Sequence, residues 1–559
     1  MRKCFFLLCA ALLPALAATA KGISETEARQ IAAEFLNGKR KIKTEMVLCN
    51  PFAVTRTAER ETAEPAFYIY NSADGKGYAI VSAEDRLPAI VGYSTAGHIE
   101  GSMMPDAMRL FLDSYAEYVE DVRTGKKDAQ YNTPLATSAR PERVEPLVKT
   151  EWNQPAPYNK YCPDNCPAGC IAVAMAQVMK YHEWPKTGTG SSFTTYNGKA
   201  LEVDFSQSEY KWEAMKNTTT ELNNDEVAAE AVAKLIYDCG IGAKMTYGPK
   251  GSGAYDVDEA YAMMNYFGYK NSTISMDKPE FYATKDEWTE KILGEIAAGR
   301  PVLFSGASPS GGGGDAAGHA FVLSGYDKTN MVHVNWGWGG EANGFFDLFR
   351  LDPGAYAFTE GQTAICGIVP NRDGIDSEYI PVPFMAPMTT ETKEVNLGTS
   401  FTISMKSIGN YNPTNAKWQY GIGLYKTDGT FIEKIQKMNT SVTLKAFYKT
   451  DINDFICTIP AATENGEYII RMFFKSNGNF IEPRVEGGAM NNYLRAVVAD
   501  GKVKIDKEPT VTAIGNVKAD DNAAMKEYYS VSGQRIDSPS SRRIVIVKQG
   551  NKVRKMIAK

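Results

Sequence analysis

Cys162-Pro-Asp-Asn-Cys166-Pro-Ala-Gly-Cys170 runs directly into Ile171-Ala-Val-Ala-Met-Ala-Gln-Val-Met-Lys-Tyr-His182. Gly169 allows a tight turn, and the Ala, Val and Met run after it has good helix propensity. The pattern predicts a helix over 169–184 with Cys170 in its first turn. There the unpaired backbone N–H groups and the helix dipole favour an anion, so the thiol pKa is expected to fall. Three readings stay open for this segment. Cys170 is a nucleophile, or Cys162 and Cys166 form a structural disulfide, or the three cysteines hold a metal.

A nucleophilic thiol needs a base, and the chain has four His. His182 lies twelve residues along the same helix, about 18 Å away at 1.5 Å per residue. His98 lies in an earlier unit. His319 follows the glycine-rich stretch from Gly306 to Gly318 and opens the strand Ala320-Phe321-Val322-Leu323. His333 sits inside the next strand, where a half-buried structural His is the plainer expectation. His319 is therefore the preferred partner. Asn335 and Trp336, in Val332-His333-Val334-Asn335-Trp336-Gly337-Trp338-Gly339-Gly340, are the residues offered for orienting the imidazole. The plainer reading of that segment is a strand end packed with core Trp.

The chain has 559 residues, which suggests several domains. Hydrophobic residues are 43% and charged residues 23%, ordinary for a folded protein. The net charge of −5 speaks against a nucleic-acid partner, and few His speak against a His-rich metal enzyme. No cofactor or metal is expected. Arg2 and Lys3, the apolar run Cys4–Leu13 and Ala18-Thr19-Ala20 read as a signal peptide over 1–20. Export permits disulfides. Nine Cys less the two in the signal leave seven, an odd number, so one thiol stays unpaired in a monomer. No stretch is long and apolar enough to span a bilayer.

Residues 21–143 read as one unit. It has a helix capped by Ser24, two strands joined across Asp74–Gly77, a helix from Asp106 to Val122, and a polar linker open to cutting. Residues 144–375 place helices first (169–184, 225–239, 285–298) and strands later (302–304, 319–323, 332–336), an α+β domain. Residues 376–506 read as an all-β sandwich. Residues 524–559 form a small β module with a basic tip.

Across 144–370, the sequence resembles the streptopain family of secreted bacterial cysteine peptidases, with a papain-like fold. Trp152-Asn153-Gln154, Gly169-Cys170 through His182, Tyr247-Gly248-Pro249, Gly318-His319-Ala320 and His333–Gly340 with Gly344-Phe345-Phe346 carry the resemblance. It implies Cys170 as nucleophile, His319 as base and acid, and Trp336 against the imidazole, with Asn335 kept beside it. It implies protein or peptide substrates and a preference for a hydrophobic side chain two places before the cut. Gly251 and Ser252 resemble part of the family's substrate cleft. Asp164 stands where papain-type sequences carry an oxyanion Gln, leaving the second oxyanion donor open. Residues 21–143 resemble the family's inhibitory propeptide, with the cut expected within 133–148, and residues 524–559 resemble a type IX sorting domain. The expected product is a secreted or surface zymogen. Its rivals are a dead peptidase fold that binds surfaces and a transpeptidase or thioester adhesin using the same Cys.

Overall fold

The computed structural model describes residues 22–49, 64–101, 104–127, 140–307, 318–347, 362–437 and 440–506, with the backbone of four short strands between 526 and 557. The expected signal peptide, residues 128–139 of the linker and the glycine-rich loop 308–317 lie outside the described residues.

The N-terminal unit begins with α1 (Glu25–Arg40). Ser24 and Glu27 form its capping box, satisfying two N–H groups that would otherwise lack partners. Strands β1 (Met46–Leu48), β2 (Phe67–Ser72), β3 (Tyr78–Ser82) and β4 (Ile90–Ser94) follow, then α2 (Asp106–Arg123). The central unit contains α3 (Cys170–His182), β5 (Ser191–Tyr196), β6 (Lys199–Asp204), α4 (Thr219–Asn223), α5 (Glu226–Gly242), α6 (Asp256–Asn265), β7 (Ser275–Asp277) and α7 (Lys285–Ala297). It ends with β8 (Val302–Ala307), β9 (Gly318–Tyr326), β10 (Val332–Asn335), β11 (Gly344–Phe346) and β12 (Thr363–Cys366). Helices precede most strands, as the sequence predicts.

One ten-stranded sheet joins the two units, in the order β1-β2-β3-β4-β11-β10-β9-β8-β12-β7. Its seam is β4–β11, where Tyr93 pairs with Phe345 and Gly92 with Phe346. The sheet is buried on both faces, which is why Ala320-Phe321-Val322-Leu323 reads as an unbroken apolar run. Side chains alternate along a strand. Ala320 and Val322 join the core formed with α3, α5 and α6. Phe321 and Leu323 join a second core with α7 and α2. From α2 that core takes Met108, Phe111, Leu112, Tyr115, Tyr118 and Val122, one face of a helix at its own period. Gly344 makes the seam possible: a Cβ there would collide with the Tyr78 hydroxyl and the Tyr93 carbonyl.

The linker is less open than its composition suggests. From Arg140 onward it is tied to the central unit. The Arg140 guanidinium bonds Glu290 Oε1 at 2.9 Å and Asn330 Oδ1 at 2.7 Å and lies 4.7 Å from the Tyr326 ring centre. Tyr326 Oη donates to the Pro141 carbonyl, and the Leu147 N–H donates to the Ser324 carbonyl. Such a stretch resists cutting, because a protease needs extended, unpaired chain. The expected 133–148 window thus spans both residues outside the described ones and this tied stretch.

In the region from 376 to 506, an eight-stranded sheet is built around strands Ala416–Lys426 and Gly466–Ser476. Trp418, Ile422, Ile470, Met472 and Phe474 share its core. The last strands, Lys526–Ser530, Arg535–Ile536, Ile544–Gln549 and Lys552–Ile557, form a four-stranded sheet. Among the described residues no helix is long and apolar enough to cross a membrane.

Candidate active site

Gly169 holds the turn before α3 with φ +93°. A Cβ there would meet the Met245 Sδ at 2.7 Å and the Ser252 carbonyl oxygen at 3.2 Å, so glycine alone fits. The same contact puts the Gly251–Ser252 loop against the turn that presents Cys170. Residues Ile171 to Met179 of α3 are all buried, which fixes the helix firmly.

The Ala320 N–H donates to Cys170 Sγ at 3.4 Å. The thiol therefore lies against the first residues of β9, where His319 pairs across to Gly306. Burial pushes the Cys170 thiol up, the Glu259 charge pushes the same way, and the N–H groups of Ala320, Ile171 and Cys170 pull it down. Burial wins, so the expected fall is corrected here: desolvation of the charged form outweighs the helix start.

The two residues offered for orienting the imidazole differ in placement. Asn335 Nδ2 donates to the Thr150 carbonyl at 2.6 Å and to Gln177 Oε1 at 3.1 Å. Its Oδ1 accepts from Gln177 Nε2 at 3.2 Å and from the Gly337 N–H at 3.1 Å. Both ends of its amide are engaged, tying the end of β10 to α3. Trp336 lies on the other face, its ring centre 4.9 Å from that of Phe321. Alternation along β9 puts His319 on the Phe321 face. The Trp336 Nε1–H donates to the Ala342 carbonyl at 3.0 Å.

The other histidines are placed elsewhere. His333 Nδ1 lies 3.2 Å from Ser324 Oγ, and burial, aided by Lys149, lowers its pKa to about 3. His182 lies 3.2 Å from Tyr269 Oη, and burial lowers it to about 4. His98 pairs with Glu100 in the N-terminal unit. All seven described cysteines are free thiols, and no metal-holding cluster occurs among the described residues.

Residues 152–346 match the peptidase C10 family, and residues 20–119 match the Spi protease inhibitor family. The chain is 33% identical to streptopain of Streptococcus pyogenes over 339 residues, covering 54% of this chain and 80% of that one. The chain belongs to the peptidase C10, or streptopain, family. It is a cysteine endopeptidase with an N-terminal propeptide and a papain-like peptidase domain, followed by a large β-rich region. It is also 30% identical to the thiol protease/hemagglutinin PrtT of Porphyromonas gingivalis over 57% of this chain and 38% of that protein. A prointerpain A fragment from Prevotella intermedia matches with 31% identity and a TM-score of 0.48, covering 58% of this chain and 99% of the fragment.

Sequence reading missed Gln177, which pairs with Asn335. Gln177 carried a usable signal, as a polar residue inside an apolar helix.

Proposed function

We propose that Cys170 is the nucleophile of peptide-bond hydrolysis and His319 its general base and acid. The observation that carries this reading is the 3.4 Å contact between the Cys170 sulfur and the amide of the residue after His319. Sγ attacks the peptide carbonyl while N–H groups at the start of α3 hold the oxyanion. His319 passes the thiol proton to the leaving amine. Water, deprotonated by the same imidazole, then hydrolyses the thioester. Trp336, on the His319 face of the sheet, shields the imidazole, while Gly251 and Ser252 line the cleft. Asn335 acts through Gln177, holding α3 in register with β10.

The same proposal covers the rest of the chain. Residues 21–143 are the propeptide unit and restrain the enzyme in cis, residues 144–375 are the peptidase, and residues 376–506 are an attached sandwich. Residues 1–20 direct export to the surface or medium, and 524–559 act as a sorting module. The substrates are proteins or peptides. The test is casein hydrolysis under reducing conditions by the wild type beside Cys170→Ala. A loss of at least about a thousandfold is expected, with the variant accumulating as precursor where maturation is self-catalysed. Comparable hydrolysis by the variant would overturn the assignment. Joined rather than hydrolysed products would reveal a transpeptidase.

A further inference from the structure

A row of residues crosses four strands of the sheet and ends at the thiol. Thr363 on β12 pairs with Ser305 on β8, and Ser305 pairs with Ala320 on β9. The Ala320 N–H is the group on the Cys170 sulfur. At the far end Ala364 pairs with Asp277 of β7. The antiparallel register then brings Lys278, whose backbone stays extended at φ −136°, opposite Thr363. Side chains alternate along each strand. Met276, Ile365, Leu303 and Ala320 all join the core shared with α3, α5 and α6, which sets Lys278, Thr363 and Ser305 on that same face.

Helix α6 starts over this row. Asp256 is its first residue, and Ser305 Oγ donates to Asp256 Oδ2 at 2.8 Å. Thr363 acts on the same carboxylate through a side-chain hydrogen bond, and Lys278 acts on it through its charge. Burial raises the carboxyl, while Ser305, Lys278 and Thr363 pull it back. The start of α6 is thus tied to the sheet just after the Gly251–Ser252 loop.

Lys278 itself is held from outside the peptidase. It is 6% exposed, and its ammonium lies 5.6 Å from the ring centres of Tyr411 and Phe447. Both rings belong to the β-rich region, beyond the matched residues 152–346. A buried ammonium needs partners, and ring faces supply them. The Tyr411 ring packs 5.8 Å from Phe281 of the peptidase and 5.1 Å from Phe384. Phe447 takes φ +57°, a backbone region that is unfavourable for a residue with a Cβ. Strain of this kind persists only where the surroundings impose it, here where the ring meets the ammonium and the Tyr411 ring at 5.7 Å.

We infer that Lys278 is a positioning residue through which the β-rich region sets Asp256, and with it the Gly251–Ser252 loop beside Cys170. This rests on the reading of Cys170 as the nucleophile. The two rings fix the ammonium, the ammonium and two hydroxyls fix the carboxylate, and the carboxylate fixes the first turn of α6. Without the cation the carboxylate loses its charge partner in a desolvated place, and the start of α6 can shift. Peptide binding along the loop should weaken. The thiol should keep its reactivity, because α3 is held by its own buried residues.

The test is steady-state kinetics on one fluorogenic peptide, using the full chain after maturation, for the wild type, Lys278→Met, Lys278→Arg and Phe447→Leu. The rate of Cys170 alkylation by iodoacetamide is measured beside it. Lys278→Met should raise KM about tenfold, with kcat and alkylation within about twofold of the wild type. Lys278→Arg keeps a cation between the rings and should restore most of the binding. Phe447→Leu, at a position 43% exposed, should raise KM about threefold. Adding it to Lys278→Met should raise KM no further, because both act through one cation. An unchanged KM in Lys278→Met, additive effects in the double variant, or a matching fall in kcat and alkylation would overturn the inference. If Lys278→Met does not mature, the other two variants decide: an unchanged KM in Phe447→Leu, or a tenfold rise in Lys278→Arg, counts against the positioning role. Cys170→Ala is assayed alongside. Hydrolysis by that variant would sink the catalytic reading, whereas an inactive Cys170→Ala beside an unchanged KM in Lys278→Met would sink only the positioning role.

Discussion

At the β4–β11 seam the N-terminal unit adds strands to the catalytic sheet, while near the β7 edge the C-terminal β-rich region meets the peptidase mainly through side chains, with a backbone bond from the Gly487 N–H to the Glu280 carbonyl at 2.8 Å. The seam has backbone pairing, the Tyr93–Phe345 stack at 5.2 Å and the fully buried Phe111 packed 5.8 Å from Phe346. The other contact rests on a buried ion pair between Asp277 and Arg484, a bond from Arg484 Nη1 to the Met276 carbonyl at 3.1 Å, and the Phe281–Phe384 contact at 5.0 Å. A water-accessible space of about 270 Å³, lined in part by Ser275, Tyr379 and Arg484, remains beside it. The unit expected to be removed is thus held by a shared hydrophobic core, and the unit expected to stay is held mainly by charge, a few rings and a backbone bond. Cutting one peptide bond would not release the first. The N-terminal unit should co-elute with the enzyme after cleavage ahead of Arg140, until something opens the core.

The largest effect should come from that core. Phe111→Ala removes a buried ring and should cost about 3–5 kcal/mol. In the cleaved protein, the urea concentration that separates the two pieces on gel filtration should fall sharply. An unchanged urea dependence would mean that backbone pairing alone holds the seam.

Arg484→Leu comes next. The Asp277 side chain is 1% exposed, and burial raises its carboxyl while Arg484 and Lys291 more than reverse that. Removing the arginine should cost about 3 kcal/mol, the low end for a broken buried pair. Lys291 remains 3.9 Å away, and Tyr282 Oη still donates at 2.9 Å. Calorimetry should then resolve a separate transition for the sandwich. A single unsplit transition would place its hold elsewhere.

Much of this comparison could not be read from the sequence. The small-residue run after Gly169 and the apolar run after His319 announced α3 and β9, because each element's period is local. The seam was hidden, since Tyr93 and Phe345 pair between segments far apart in the chain and nothing local marks a strand's partner. The direction of the Cys170 shift was hidden for a related reason. The helix start is visible in the sequence, but the burial that outweighs it comes from neighbours that only the fold brings to the thiol. Asn335 looked like a catalytic partner by its order in the chain. Its bonds to Gln177, two turns along α3 from Cys170, join segments far apart in the chain and had no local mark.

The smallest effect, and the one that most sharpens the comparison, is in pH. Two carboxyls of the peptidase face the N-terminal unit with opposite shifts. Asp327 accepts from Lys39 Nζ at 3.0 Å and from Tyr93 Oη at 2.8 Å. Burial raises it, but Thr329, Lys39 and Tyr93 together hold it below the ordinary aspartate value. Its contribution is complete above the ordinary value and is lost as pH falls below it. Glu341 accepts from the Glu100 N–H at 3.0 Å. Burial raises its carboxyl, and the Glu100 charge adds to that. Its contribution is complete below the ordinary glutamate value and is lost as pH rises through its raised one. The seam should therefore hold best in mild acid, between the ordinary aspartate and glutamate values of about 4 and somewhat above, and weaken on both sides. Gel filtration of the cleaved protein in fixed urea across pH should show that maximum. Glu341→Gln should remove the decline on the neutral side and leave the acid side, which belongs to Asp327, in place. A flat profile in the wild type would mean that the seam answers only to its apolar core, and that the charges beside it are incidental to release.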